Sequence, residues 1–284
     1  VPFSINALKA GKHVLCEKPI SITSDEILEL IKVQNETKKI VSEAFMVRFH
    51  PQWIQTKKLI QEGEIGKLNA IQGLFNYFNT DKGKIFRRLD IKQKTNNYGP
   101  YYEKHLKKLK NKKLNILEIG SFYGNASAAL YFYFQKANIF SADIFPDLFS
   151  YSSKRIKNFY VDSSEEISIE KHIIKLNQSF DIIIEDASHS FKDQIISLFM
   201  LFDKLNPGGI FIVEELDFPD TRKDMNLKNE RPTLRDILID IQINKDFTSK
   251  FVDISQKDLF LSTFDKIKIL KGKFNEFAII TKKK

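Results

Sequence analysis

The 284-residue chain holds a single cysteine, Cys16. One thiol excludes an internal disulfide and a multi-cysteine zinc site, and it fits a reducing cytoplasm. No run of about 18 apolar residues occurs, so no transmembrane helix is expected. No secretory signal is visible, and the chain begins at Val1 rather than Met, as a fragment or processed product would. Internal repeats and low-complexity linkers are also missing. The formal charge of +9 invites an anionic partner. Its lysines, however, scatter over helix faces and the tail Lys282-Lys283-Lys284, with no compact arginine-and-aromatic cluster. That distribution argues against nucleic acid.

The length suits one large domain or two modest ones, and what is present divides abruptly near residue 77. Residues 1–77 read as a partial α/β segment. A short helix over 4–11 stops at glycine and precedes a strand over 13–16 and the turn Glu17-Lys18-Pro19. Thr23 or Ser24 then caps a helix running to Lys38, with Asp25 and Glu26 in its first turn, where acids complement the helix dipole. Ile27, Leu28, Leu30, Ile31 and Val33 supply its apolar face. A strand over 40–44, a helix after Pro51 and a strand over 70–77 complete the segment.

Residues 78–284 alternate strands and helices. After a helix over 100–109, strands are expected over 114–119, 138–143, 158–161, 180–185 and 209–214. Helices are expected near 125–134, 147–155, 165–177 and 191–205. Near-continuous apolar strands such as Ile182-Ile-Ile184 mark a parallel sheet covered on both faces. The end reads as a hairpin of 266–271 and 276–281 turning at Lys271-Gly-Lys273. The resulting class is a Rossmann-like α/β sheet of seven strands.

In an open α/β sheet the ligand lies beyond the carboxyl ends of the strands. The first of these ends is Leu114-Asn-Ile-Leu-Glu-Ile-Gly120, followed by Ser121 and Gly124, and Asp143 closes the next strand. This is the layout of a nucleoside-binding βαβ unit: glycine lets backbone approach the ligand, and the later carboxylate takes ribose hydroxyls. The spacing Glu-x-Gly-x-x-x-Gly resembles the first motif of class I S-adenosylmethionine (SAM) methyltransferases. On that resemblance Glu118, Gly120, Ser121 and Gly124 meet the methionine part of SAM, Asp143 the ribose, and Asp162 and Ser163 the adenine.

Strands four and five of this series end in Glu185-Asp186-Ala-Ser-His189 and Glu214-Glu215-Leu-Asp217. Clustered carboxylates repel one another unless a cation neutralises them, and an all-oxygen set with one histidine nearby suits Mg²⁺ better than zinc. Glu185 is expected to point away from the site, because strand neighbours alternate faces. Asp186-x-Ser-His189, Pro207-Gly-Gly209 and Val213-Glu-Glu215 resemble the metal-dependent sugar O-methyltransferases of macrolide pathways. So do the lead-in Thr80-Asp-Lys-Gly83 and Tyr98. The resemblance implies Mg²⁺ held by Asp186, Glu214 and Glu215, with His189 as general base. It departs at Glu215, where that group usually has Asp. The charged, proline-containing segment 218–232 is expected to form a lid. Its Arg222 and Arg231 read more simply as solvated surface residues than as acceptor contacts.

The first segment resembles another family. Ala10-Gly-Lys-His-Val-Leu-Cys-Glu-Lys-Pro19, then Glu43-Ala-Phe-Met-Val-Arg-Phe-His-Pro51 and Gly63-Glu-Ile-Gly66, are similar to Gfo/Idh/MocA oxidoreductases. There the Glu-Lys-Pro lysine, here Lys18, sits by nicotinamide and substrate. No Gly-x-Gly-x-x-Gly loop precedes it, so Glu17, Lys18 and Pro19 are expected to be vestigial and NAD(P) is not expected to bind tightly. The leading expectation is a SAM- and Mg²⁺-dependent O-methyltransferase. Its acceptor would be a hydroxyl of a sugar or polyol in glycan or secondary-metabolite synthesis, and a homo-oligomer is compatible with it. The alternatives are an NAD(P)-dependent oxidoreductase fragment with an appended domain, or an N-terminal docking module.

Overall fold

The computed structural model describes residues 1–17, 20–21, 23–44 and 97–284. The chain forms two compact units, Val1–Leu68 and Asn69–Lys284. In the first, helix α1 (Pro2–Lys9) leads into strand β1 (Val14–Cys16), and helix α2 (Ser24–Thr37) into strand β2 (Val41–Glu43). The strands pair in parallel, Val14 opposite Val41 and Cys16 opposite Glu43. Thr23 caps α2 by accepting the Glu26 amide, with Asp25 and Glu26 in the first turn.

Ile5, Leu8, Leu30 and Val33 form this unit's core, with Ile27 against it. Leu28 and Ile31 do not join them and are 62% and 46% exposed. Helical geometry gives the reason: they lie about 160° and 100° around the axis from Leu30. Lys18 and Pro19 lie outside the described residues, as do the sequences 45–51, 63–66 and 80–83 and the elements expected between Pro51 and residue 77.

The second unit contains the sheet. Its strands are β3 (Asn115–Ile119), β4 (Asn138–Asp143), β5 (Ile156–Tyr160), β6 (Phe180–Glu185), β7 (Leu205–Val213), β8 (Phe264–Lys271) and β9 (Glu276–Lys282). The order is β5-β4-β3-β6-β7-β9-β8. All neighbours are parallel except β9, which runs antiparallel to both β7 and β8. The terminal hairpin turns where expected, with Gly272 donating to the Asn275 carbonyl.

Side-chain alternation sends successive residues of each strand to opposite faces. Leu117, Ile119, Ile183, Phe211 and Val213 pack under helices α6 (Phe191–Leu201), α8 (Leu234–Asn244) and α9 (Ile254–Thr263). Ile116, Ile182, Ile184 and Ile212 pack under α3 (Gly99–Leu106) and α4 (Asn125–Tyr133). Among the described residues no helix is long and apolar enough to cross a membrane.

Three expectations need correction. Over 147–155 there is no α-helix, only a 3-10 turn at Pro146–Leu148. Serine hydroxyls there compete for the backbone: Ser150 Oγ donates to the Leu148 carbonyl, and Ser153 Oγ accepts the Arg155 amide. The helix expected over 165–177 is a short α5 (Glu166–Ile169) running into a π turn, Glu170–Ile174. Strand β7 starts at Leu205, and Pro207-Gly208-Gly209 lie within it, beside a register shift on β6.

Candidate active site

The carboxyl end of β3 turns through two glycines in left-handed conformation, Gly120 at φ +87° and Gly124 at φ +80°. A Cβ on Gly120 would lie 2.0 Å from the Asp186 carbonyl oxygen, so only glycine fits. The turn after β3 therefore rests directly on the loop after β6. Ser121 beside it is buried, and its hydroxyl has no hydrogen-bond partner among the described residues.

Glu118 is fully buried and accepts the Ser127 hydroxyl, which lies 2.7 Å from Ser141 Oγ. Asp143 accepts the Phe122 amide on Oδ2 at 2.7 Å and the Phe145 amide on Oδ1 at 2.8 Å. Its carboxylate thus stands at the mouth of the turn. Asp162 Oδ1 accepts the amide and hydroxyl of Ser164, while Ser163 is buried next to it. The strand topology puts Glu118, Gly120, Ser121, Gly124, Asp143, Asp162 and Ser163 along one edge of the sheet.

Next along that edge stand the acids. Asp186 Oδ1 lies 3.8 Å and Glu215 Oε2 4.0 Å from His189 Nε2. One atom from each of these three residues falls within 4.8 Å of the others, a spacing that could hold a metal ion. His189 and Glu215 both have left-handed backbones, φ +57° and +46°, each costing about 1–2 kcal/mol for a residue with a Cβ. Other contacts hold this strain in place. Buried Gln194 donates to the carbonyls of both Glu214 and Glu215, at 3.2 and 3.1 Å, and Phe218, the first residue of helix α7 (Phe218–Thr221), meets the His189 ring edge-on at 5.3 Å.

Glu214 is not one of the three. Fully buried, it accepts the Tyr102 hydroxyl on Oε1. Tyr98 lies with its hydroxyl 3.3 Å from Glu215 Oε1. Burial, and then the charges of Glu215, Glu214 and Asp186, push the Tyr98 hydroxyl far above its usual pKa, so it stays a donor. Glu185 also lies outside the trio. Burial, and then the charge of Asp186, raise its carboxyl from the ordinary 4.5 to about 8.

Asp217 is committed elsewhere. It accepts the Glu276 amide at 2.8 Å and faces Lys271 Nζ at 3.7 Å, fastening β9. Arg222 pairs with Asp224, and Arg231 bridges Asp220 and Asp236 at 2.6 and 2.7 Å. Arg222 serves the 218–232 segment itself, and Arg231 also ties that segment to α8 through Asp236. Tyr102, Gln194 and Phe218 were not singled out from the sequence. The available signal was Tyr98-x-x-x-Tyr102, one helical turn of spacing facing inward.

Comparison with known proteins divides the chain in the same way. Residues 2–45 match the model of an oxidoreductase family with an NAD-binding Rossmann fold, Gfo/Idh/MocA. An oxidoreductase of Rhizobium meliloti, ORF334, is 44% identical over 91 residues, 32% of this chain and 27% of its own length. The mycinamicin VI 2''-O-methyltransferase of Micromonospora griseorubida is 26% identical over 126 residues, 42% of this chain and 31% of that protein. The match thus spans about a quarter to a third of these relatives. Among solved structures, MycE methyltransferase from the mycinamycin pathway, in complex with Mg, SAH and mycinamycin VI, aligns with a TM-score of 0.57 at 18% identity. That alignment covers 94% of this chain and 64% of the other. A segment that matches the Gfo/Idh/MocA model therefore precedes a unit with the class I methyltransferase fold.

Proposed function

We propose that this protein is a SAM- and Mg²⁺-dependent O-methyltransferase acting on a hydroxyl of a sugar or polyol-bearing small molecule, with the chemistry carried by residues 78–284. One observation carries the reading: the glycine turn after β3 rests on the same Asp186 loop that contributes to the Asp186–His189–Glu215 cluster. Cofactor and acceptor would therefore be neighbours, as in-line methyl transfer requires.

The residues suit both groups. The buried Ser121 hydroxyl, without a hydrogen-bond partner among the described residues, and the Asp143 carboxylate suit the polar ends of SAM. Two carboxylate oxygens beside an imidazole suit a hard divalent cation. We assign Asp186 and Glu215 as its ligands, while Glu214, held by Tyr102, adds negative charge behind them. Bound Mg²⁺ supplies positive charge that lowers the pKa of the acceptor hydroxyl, and SAM supplies the electrophilic methyl group.

The chain's own residues do the remainder. His189 Nε2 is the atom placed to receive the hydroxyl proton, and an imidazole titrates in the physiological range. That nitrogen lies 3.8 and 4.0 Å from Asp186 and Glu215, so the proton acceptor stands beside the assigned cation ligands. Phe218 packs edge-on with the His189 ring, in keeping with a lid role for 218–232. Glu17, Lys18 and Pro19 are assigned no step in this chemistry. A cytoplasmic setting, where the free Cys16 stays reduced, completes the reading.

The reading is tested by incubating the chain with SAM, Mg²⁺ and a panel of free, nucleotide-linked and natural-product-linked sugars. Methylated product is followed by mass. Wild type is expected to methylate at least one class in a chelator-sensitive way, and Asp186→Ala to lose that activity. Undiminished methylation by Asp186→Ala would contradict the assignment.

A further inference from the structure

Two phenols stand behind the acids. Tyr98 and Tyr102 are fully buried and sit one turn apart, at the start of α3 and within it. The Tyr98 hydroxyl lies 3.3 Å from Glu215 Oε1, and the Tyr102 hydroxyl donates to Glu214 Oε1. The other oxygen of Glu215, Oε2, faces His189 Nε2. The two oxygens of Glu215 thus have separate tasks, one held by a phenol and one turned to the site. The phenol itself is fixed: its ring packs on Phe277 with centroids 4.5 Å apart. A glutamate has three rotatable bonds and loses that freedom on binding a cation. A rigid donor that already holds one oxygen removes much of the cost in advance, as outer partners of metal ligands do.

On this basis, and resting on the reading of Asp186 and Glu215 as ligands of a cation beside His189, we propose that Tyr98 is a positioning residue for the divalent cation. It holds Glu215 Oε1 so that Oε2 is presented to the site, and Tyr102 steadies the adjacent Glu214. Helix α3, which contributes nothing to the glycine turn, becomes part of the metal site.

Tyr98→Phe keeps the ring and its contact with Phe277 and removes only the hydroxyl. Mn²⁺, a paramagnetic substitute for Mg²⁺, is titrated into the full chain and free ion read by electron paramagnetic resonance. The dissociation constant is expected to rise about 10–100-fold. The melting temperature in chelator should change little, and affinity for S-adenosylhomocysteine (SAH) should be unaltered. Tyr102→Phe is expected to give a smaller rise, because Glu214 lies outside the three converging atoms. Unchanged Mn²⁺ affinity in Tyr98→Phe would overturn the positioning role. A parallel loss of Mn²⁺ affinity, SAH affinity and melting temperature would overturn it too, marking a residue that only supports the fold. Wild type that takes up no Mn²⁺ would remove the metal centre itself, a failure distinct from the first two.

Discussion

Replacing Gly120 by alanine tests the contact that joins the two halves of the site. The new Cβ would fall 2.0 Å from the Asp186 carbonyl oxygen, 2.5 Å from its carbon and 2.6 Å from Ala187 Cα. All three are backbone atoms, and the Asp186 amide is itself tied to the Ile119 carbonyl at 2.9 Å. The loop cannot turn aside as a side chain could. Left-handed strain adds about 1–2 kcal/mol, and overpacking about 1–3 kcal/mol. The sum, about 2–5 kcal/mol, corresponds to a fall in melting temperature of roughly 5–20 °C for a domain of this size. Because the displaced atoms belong to the Asp186 loop, SAH and Mn²⁺ affinities should fall together. Gly124→Ala is the control: its Cβ meets the Phe149 ring at 2.4 Å, a side chain that can rotate away. It should cost less stability and spare Mn²⁺ binding. Thermal melts and calorimetric titration of both variants decide the matter. A Gly120→Ala protein with wild-type melting temperature and both affinities intact would refute the reasoning.

Two further outcomes follow from the acids. The raised Glu185 carboxyl, about 8 in place of 4.5, stays protonated in the folded chain while its unfolded counterpart ionises. Its contribution to stability is complete below pH 4.5 and is lost as pH rises through about 8. In chelator, Glu185→Gln should therefore lose about 2–4 kcal/mol less stability than wild type between pH 5 and pH 8. Urea denaturation at the two pH values reads this, and parallel losses in the two proteins would contradict it. Asp186→Ala should abolish Mn²⁺ binding yet leave SAH affinity within about threefold by calorimetry, because Ser121 and Asp143 remain. Loss of both would show that the carboxylate serves the cofactor.

Much of this was legible in the sequence for physical reasons that can be named. Ile182-Ile-Ile184 reads as a strand because only a doubly covered parallel sheet buries such a run. Gly120 and Gly124 announce themselves because no other residue takes their backbone angles at that closeness. The left-handed His189 and Glu215 carry no such mark, since a non-glycine residue is held there by tertiary contacts such as Gln194. Tyr98 and Tyr102 pair with acids more than 100 positions away, a distance over which composition and spacing say nothing. Helices α8 and α9 lie outside the sequence expectations, although both begin with a capping box, Thr233 with Asp236 and Asp253 with Gln256. The unformed helix over 147–155 shows the converse: apolar spacing there yields to serine hydroxyls that bind the backbone locally.

The central claim is that the second unit holds SAM beside the Asp186–His189–Glu215 cluster, and that SAM rather than a nicotinamide nucleotide is the cofactor of the proposed chemistry. Calorimetric titration of the full chain with SAH, and separately with NADPH, tests both parts at once. Saturable one-to-one binding of SAH with no heat from NADPH is predicted. Binding of NADPH without SAH would contradict the account.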